Sequence, residues 1–253
     1  MNTIKAFLLL PALFLALAAS AQEEAPFNSD RPGAINGTEI LPKGRLQWET
    51  AVQWERSEYD DISMRLWTIN SSVIRYGLTD YAEMQLRADY MAGTIDGEHR
   101  NGFANVSLGA KVRLFDGWRF LPSVTMLSYL MVPDKKDTSF MPDNWSLQWG
   151  LCAQHDITRW LSFGYEGSLL WLDDKRPTPY WGFSLGFQLS DKWLLMADQY
   201  NWDYSGDNEN WVELSLCWHF AKRMQVDVYS DFNLRYLRDY TNIGVGFSWQ
   251  LTK

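Results

Sequence analysis

After its first 21 residues the chain holds no apolar run near the roughly 20 residues a membrane helix needs, yet from Gly44 onward it alternates apolar and polar residues in segment after segment. A two-residue period belongs to a strand with one wet face and one dry face. In the first segment Leu46, Trp48, Thr50, Val52 and Trp54 share a face, and Arg45, Gln47, Glu49, Gln53 and Glu55 share the other. Met84, Leu86 and Ala88 oppose Glu83, Gln85, Arg87 and Asp89 in the same way. Val106, Leu108, Ala110 and Val112 oppose Asn105, Ser107, Lys111 and Arg113. The pattern returns at 145–152, 161–169, 181–188, 212–219 and 242–251, and in weaker form at 64–77, 119–132, 193–204 and 224–232. These segments predict twelve strands in an all-β chain. An even number of long strands is what a closed antiparallel transmembrane barrel with both termini on one side requires.

The connections point the same way. "LTDY", "FDGW", "DITR", "SDK" and "AKR" follow the even strands and are tight. "SEYDDIS", "MAGTIDGEHRNGF", "PDKKDTSFMPD", "DDKRPTP", "SGDNEN" and "NLRYLRDY" follow the odd strands and are longer and polar. Short turns on the periplasmic side and longer loops outside characterise outer-membrane barrels. The 14 tryptophans fit two interfacial girdles. Trp118, Trp160 and Trp193 follow short turns, while Trp54, Trp145, Trp171, Trp181, Trp202 and Trp211 lie beside long loops.

Residues 1–21 combine Lys5, an apolar stretch from Ala6 to Ala18 and small residues at Ala19 and Ala21, the pattern of a secretory signal cleaved before Gln22. Removing it takes one of 23 Lys plus Arg and none of 31 Asp plus Glu, leaving a net charge of −9. An acidic exported chain without a basic block is a poor nucleic-acid binder. Cys152 and Cys217 fall on non-neighbouring strands and are expected to be free thiols. His99, His155 and His219 have no serine two residues on, so no hydrolase dyad forms along one strand. Neither metal ligands at a recognised spacing nor a nucleotide fingerprint is present, so no cofactor is expected and the chain does not read as an enzyme.

Four stretches, "SDRPGAINGTEILPKGRLQWE" (29–49), "IRYGLTDYAEMQLRAD" (74–89), "GFANVSLGAKVRL" (102–114) and "NIGVGFSWQL" (242–251), resemble the meta-pathway phenol-degradation family of outer-membrane barrels. The likeness runs along essentially the whole mature chain. It implies a transport-type barrel for small solutes, hydrophobic or aromatic compounds among them. The chain departs from the family at "MVPDKKD" and in ending on "WQLTK".

These readings divide the chain into a signal peptide (1–21), a polar periplasmic arm (22–43) and a barrel (44–253) in the outer membrane of a Gram-negative bacterium. Its expected partners are outer-membrane lipid, the barrel-assembly machinery and a small-molecule solute. Candidate lumen charges are Arg45, Glu49, Arg75, Glu83, Arg87, Lys111 and Arg113 on the first four strands, facing Glu213, Asp227 and Asp231 on strands ten and eleven. Glu83 is expected to meet Arg113. Such charges either pair into a stiffening network or set a transverse field that selects solutes. The arm, with Asp30, Arg31 and the turn at Pro32-Gly33, either hangs free or folds into the barrel mouth. Beside a solute channel stand two alternatives, a structural or adhesive barrel and a membrane-embedded lipid hydrolase.

Overall fold

The computed structural model describes residues 27–252 except 60–61, 119, 135–139, 173–175 and 205–206. The expected signal peptide and arm residues 22–26 lie outside the described residues. Twelve strands follow one another: β1 (Leu46–Tyr59), β2 (Ile62–Thr79), β3 (Ala82–Ile95), β4 (Glu98–Phe115), β5 (Ser123–Met131), β6 (Ser146–Thr158), β7 (Leu161–Trp171), β8 (Thr178–Ser190), β9 (Trp193–Tyr204), β10 (Asp207–Ala221), β11 (Met224–Asn233) and β12 (Tyr240–Gln250). Each pairs antiparallel with its sequence neighbours, and β1 pairs with β12 from Gln47↔Gln250 to Ser57↔Tyr240, closing the sheet into a barrel. Closure leaves no free edge, so the backbone groups of the wall pair within the sheet apart from local bulges such as that at Ala51/Gln53. Among the described residues no helix is long and apolar enough to cross a membrane. The strands are long enough: even β5, the shortest, has 9 residues, and a tilted strand crosses with about 9–11.

The barrel inverts the usual arrangement of a soluble protein. Val52, Leu86, Leu108, Leu151, Leu185 and Val245 are exposed on its outside, whereas Arg75, Lys111, Glu83 and Gln47 are completely buried inside. Apolar-out and polar-in is the pattern of an outer-membrane barrel, whose exterior meets hydrocarbon. Trp118, Trp160 and Trp193 lie exposed toward the short-turn rim, and Trp145 and Trp181 toward the opposite one. Trp202 and Trp211 depart from the expected girdle. Trp211 alternates with Glu213 and Ser215 and is 8% exposed, and Trp202 pairs in register with the buried Tyr180. Both rings face the lumen because the pleat, not nearness to a loop, decides which way a side chain points.

Much of the long-loop side is strand. Residues 91–103, read from sequence as a loop, form a hairpin in which β3 and β4 remain paired out to Ile95↔Glu98. Only Asp96 and Gly97 lie between, with φ of 52° and 82°, the left-handed pair a two-residue hairpin needs. On the other side the β4–β5 connection is longer than its tight "FDGW" reading. β5 starts at Ser123, after Pro122, and Trp118 and Leu121 form an isolated bridge ahead of it.

Candidate functional site

Residues 27–44 lie inside the barrel as a loop with both ends at the short-turn rim. At its start, Gln47 Nε2 donates to the Asn28 carbonyl at 2.8 Å and the Ser29 and Ser248 hydroxyls are 2.7 Å apart, so the arm touches both strands of the β1–β12 seam. At its end, the Leu41 amide donates to Glu83 Oε2 at 2.7 Å and the Gly44 amide to the Gly77 carbonyl at 2.8 Å. A Cβ on Gly77 would lie 2.1 Å from the Pro42 carbonyl oxygen, so this close approach of two backbones requires glycine. Between its ends the arm crosses to the far wall. The Ala34 amide donates to Asp198 Oδ2 at 2.9 Å, and Asn36 donates through its amide and its Nδ2 to Glu166 Oε2 at 2.8 and 3.0 Å. The Tyr180 hydroxyl donates to the Ala34 carbonyl at 2.5 Å and Thr125 Oγ1 to the Thr38 carbonyl at 2.6 Å.

Two neighbouring residues of opposite charge anchor this loop to opposite walls. Asp30 accepts from Lys111 Nζ at 2.9 and 3.2 Å and from Gln85 Nε2 at 3.1 Å, with Arg75 Nη1 at 3.5 Å. Arg31 reaches Asp227 at 3.5 Å on β11 and lies over the Tyr229 ring at 5.2 Å. Burial alone would raise the Asp30 carboxyl, but Arg75 and Lys111 outweigh it and bring its pKa down to about 2. Arg75 is the hub of the basic wall. Its Nε and Nη2 fork onto the two oxygens of Glu83 at 3.0 Å each, and its Nη1 reaches Glu49 at 3.0 Å.

The expected meeting of Glu83 with Arg113 does not occur. Register places Glu83 across from Lys111, and Arg113, one pleat nearer the rim, pairs with Glu39 at 3.2 Å and Asp116 at 3.0 Å. Arg45 is also inside, donating to the Thr252 carbonyl at 3.3 Å beside the seam. Arg87 stacks on Tyr129, 3.8 Å from the ring centroid, and donates to Asn36 Oδ1 at 3.1 Å. On the acidic wall Glu213 stands opposite Asp231, while Asp227 stands opposite Cys217 farther down. The sequence reading did not select Glu166 and Asp198, which hold the arm's deepest part. Glu166 had a signal, one carboxylate on a lumen face otherwise made of glycine and serine in "SFGYEGS". Asp198 shares its face with Leu194, Met196, Tyr200 and Trp202 and stands out only as the one charge among apolar and aromatic residues.

Cys152 and Cys217 are free and buried. His219 bonds Gln225 at 2.7 Å and meets the Phe27 ring edge-on at 5.8 Å. Among the described residues no group of three or more histidine, cysteine or acidic side chains could hold a metal ion.

The arm stands between two cavities. One, of about 480 Å³, lies on the short-turn side against Gln188, His219 and Gln225. The other, of about 540 Å³, lies toward the long-loop side against Tyr180, Tyr200, Trp202 and Asp231. Asp30, Arg31, Pro32, Ile35 and Asn36 border both, so these residues form a partition at mid-depth.

A closed twelve-stranded barrel with this polar interior can be set beside known proteins. The model of the family described as "Putative MetA-pathway of phenol degradation" matches residues 29–253. The chain belongs to that family. The match begins inside the arm, so the family's shared sequence includes the loop as well as the wall. Among solved structures, an outer-membrane channel from Pseudomonas putida F1 aligns with a TM-score of 0.62 at 12% identity, over 87% of this chain and 98% of that one. The KdgM porin, solved in complex with disordered oligogalacturonate, aligns with a TM-score of 0.55 at 10% identity, over 80% and 98%. At such identities the likeness shows a shared barrel fold. A comparison with curated proteins gave no match.

Proposed function

We propose that this family member is an outer-membrane channel for small solutes, hydrophobic or aromatic compounds among them, whose lumen is closed at mid-depth by the arm. The observation that carries the reading is the partition: residues 30–36 separate two cavities and are held by side chains of the barrel's own wall. A wholly structural barrel needs no such loop, since side chains alone can fill a narrow lumen. The fold shared with a protein described as an outer-membrane channel and with a porin supports the reading, and the family description supports aromatic solutes. In this reading the lumen charges have two duties. The basic wall with Asp30 latches the arm, and Glu213 and Asp231, which border the outer cavity, meet the solute. No catalytic step is assigned to the chain, and its other partners are membrane lipid and the machinery that inserts barrels.

Single-channel recording in planar bilayers tests this with the full-length protein and a variant lacking residues 22–43. Low or intermittent conductance in the first and steady conductance in the second are expected. Silence in both forms sinks the channel reading and favours a structural role.

A further inference from the structure

We propose that the outer cavity is a binding site for an organic cation that carries an aromatic or apolar body. This names a solute class for the channel and rests on that reading for its physiological sense, although the site is defined by its own geometry.

The cavity's far wall is aromatic. The Tyr180 and Trp202 rings are 4.5 Å apart by centroid, and Tyr200 stacks on Trp211 at 6.1 Å and 11°. Lumen faces of such barrels are ordinarily polar, so a cluster of inward aromatic rings is unexplained by the fold alone. Within this cluster Glu213 and Asp231 face each other across β10 and β11. Asp231 accepts from the Tyr200 hydroxyl at 3.1 Å and from Asn242 Nδ2 at 2.7 Å. Glu213 is 5% exposed, borders the cavity, and its Oε1 has no hydrogen-bond partner. Among the described residues neither acid forms a salt bridge, because the nearby arm cation, Arg31, is engaged by Asp227.

The two facing acids are hydrogen-bonded to each other and so share a proton. That leaves one negative charge without a cation and one buried Glu213 oxygen without a donor, and both are costly. A ligand that relieves both must bring positive charge and an N–H donor. The rings ask for more than charge: they stabilise a cation over their faces and bury an apolar body. A bare metal ion is a poor fit, since hard cations take six or more oxygen ligands and rings supply none. A neutral aromatic alcohol would satisfy the lone oxygen and leave the charge standing. An aromatic anion would be repelled.

An isosteric series at pH 7 separates these cases: 2-phenylethylammonium, 2-phenylethanol and phenylacetate, titrated calorimetrically into full-length protein in detergent micelles. The ammonium is expected to bind at least about tenfold more tightly than the alcohol, and the carboxylate most weakly. Glu213→Gln is expected to weaken the ammonium about tenfold, or about 1.4 kcal/mol, and to leave the alcohol within about twofold. Asp231→Asn should act in the same direction. Trp202→Leu should weaken both ammonium and alcohol. Equal or tighter binding of the alcohol or the carboxylate, or indifference to both acid substitutions, overturns the proposal. Conductance is read separately, so a barrel that binds the cation but never conducts keeps this site and loses the channel reading. A barrel that conducts but shows no preference for the ammonium does the reverse.

Discussion

The substitution Asp30→Asn should release the arm. The new side-chain amide can still hydrogen-bond, but the charge between Lys111 and Arg75 disappears. Arg75 keeps Glu83 and Glu49, both at 3.0 Å. Lys111, completely buried, keeps the Glu39 carbonyl at 3.0 Å but loses the one carboxylate it pairs with among the described residues. Stranding one partner of a buried ion pair costs about 3–5 kcal/mol. The retained hydrogen-bonding capacity and the intact Arg75 fork place this case at the lower end, about 3 kcal/mol. The Asp30 carboxyl, brought from 3.8 to about 2, gives a similar magnitude, about 2 kcal/mol at about 1.4 kcal/mol per unit. At 1.4 kcal/mol per tenfold, the ratio of docked to undocked arm falls about 100-fold. Hydrogen exchange by mass spectrometry reads this directly at the Ala34 and Leu41 amides, which donate to Asp198 and Glu83 in the docked state. Exchange should quicken by about two orders of magnitude, and the open time in bilayers should lengthen with it. Adding Lys111→Met removes the stranded cation and should restore most of the protection. Exchange within twofold of the parent protein would refute the reasoning, as would a double variant no better protected than the single one.

Acid should act on the same latch. Asp30 lies on the arm, outside the spanning strands, and its pKa is lower docked than free, so it stabilises docking above about pH 4 and loses that contribution as pH falls through about 2. The Asp30 contribution, read as the difference in open probability between the parent protein and Asp30→Asn, should therefore be constant from pH 7 to pH 4 and shrink below; a difference that persists undiminished to pH 2 would count against it. Gly77→Ala should lower stability by about 1–3 kcal/mol through the clash with the Pro42 carbonyl, measured by urea unfolding, and most of that loss should vanish when residues 22–43 are absent. Cys217 should react slowly with maleimide in the full-length protein and faster without the arm, and non-reducing electrophoresis should show no link to Cys152.

Strand number and facing were legible because a membrane wall imposes the same two-residue rule on every strand. Leu46 through Glu55 keep to it apart from Thr50 and the small Ala51, and inside and outside follow without knowing any neighbour. Carried one residue back from Val212, the same rule puts Trp211 inward, in period with Glu213, but the sequence reading grouped it with the girdle by loop position, a weaker constraint than the pleat. Register was harder. Whether Glu83 meets Lys111 or Arg113 depends on a two-residue slip that leaves the facing pattern unchanged, so composition cannot distinguish them. Residues 91–103 misled for another reason. Beyond the bilayer both faces of a hairpin are wet, so polarity there no longer separates strand from loop. The arm's docking was foreshadowed by Asp30 and Arg31, charges in search of partners, but Glu166 and Asp198 serve it mainly by accepting backbone amides, and an amide donor leaves no mark in the sequence.

The arm enters and leaves through the same rim, and this gives it the mechanics of a stopper on a tether. Removing it requires no chain end to pass through the barrel and no strand to leave the β1–β12 seam. Residues 27–43, drawn straight, span about 60 Å at roughly 3.5 Å per residue, about twice the thickness of a bilayer's hydrocarbon core. Slack of that length lets the loop swing clear into the periplasm and fall back into its socket. Tension applied near residue 26 would reach Asn28 and Ser29 at the seam before the Asp30 and Arg31 latch, so the fastening opens from one end like a row of studs.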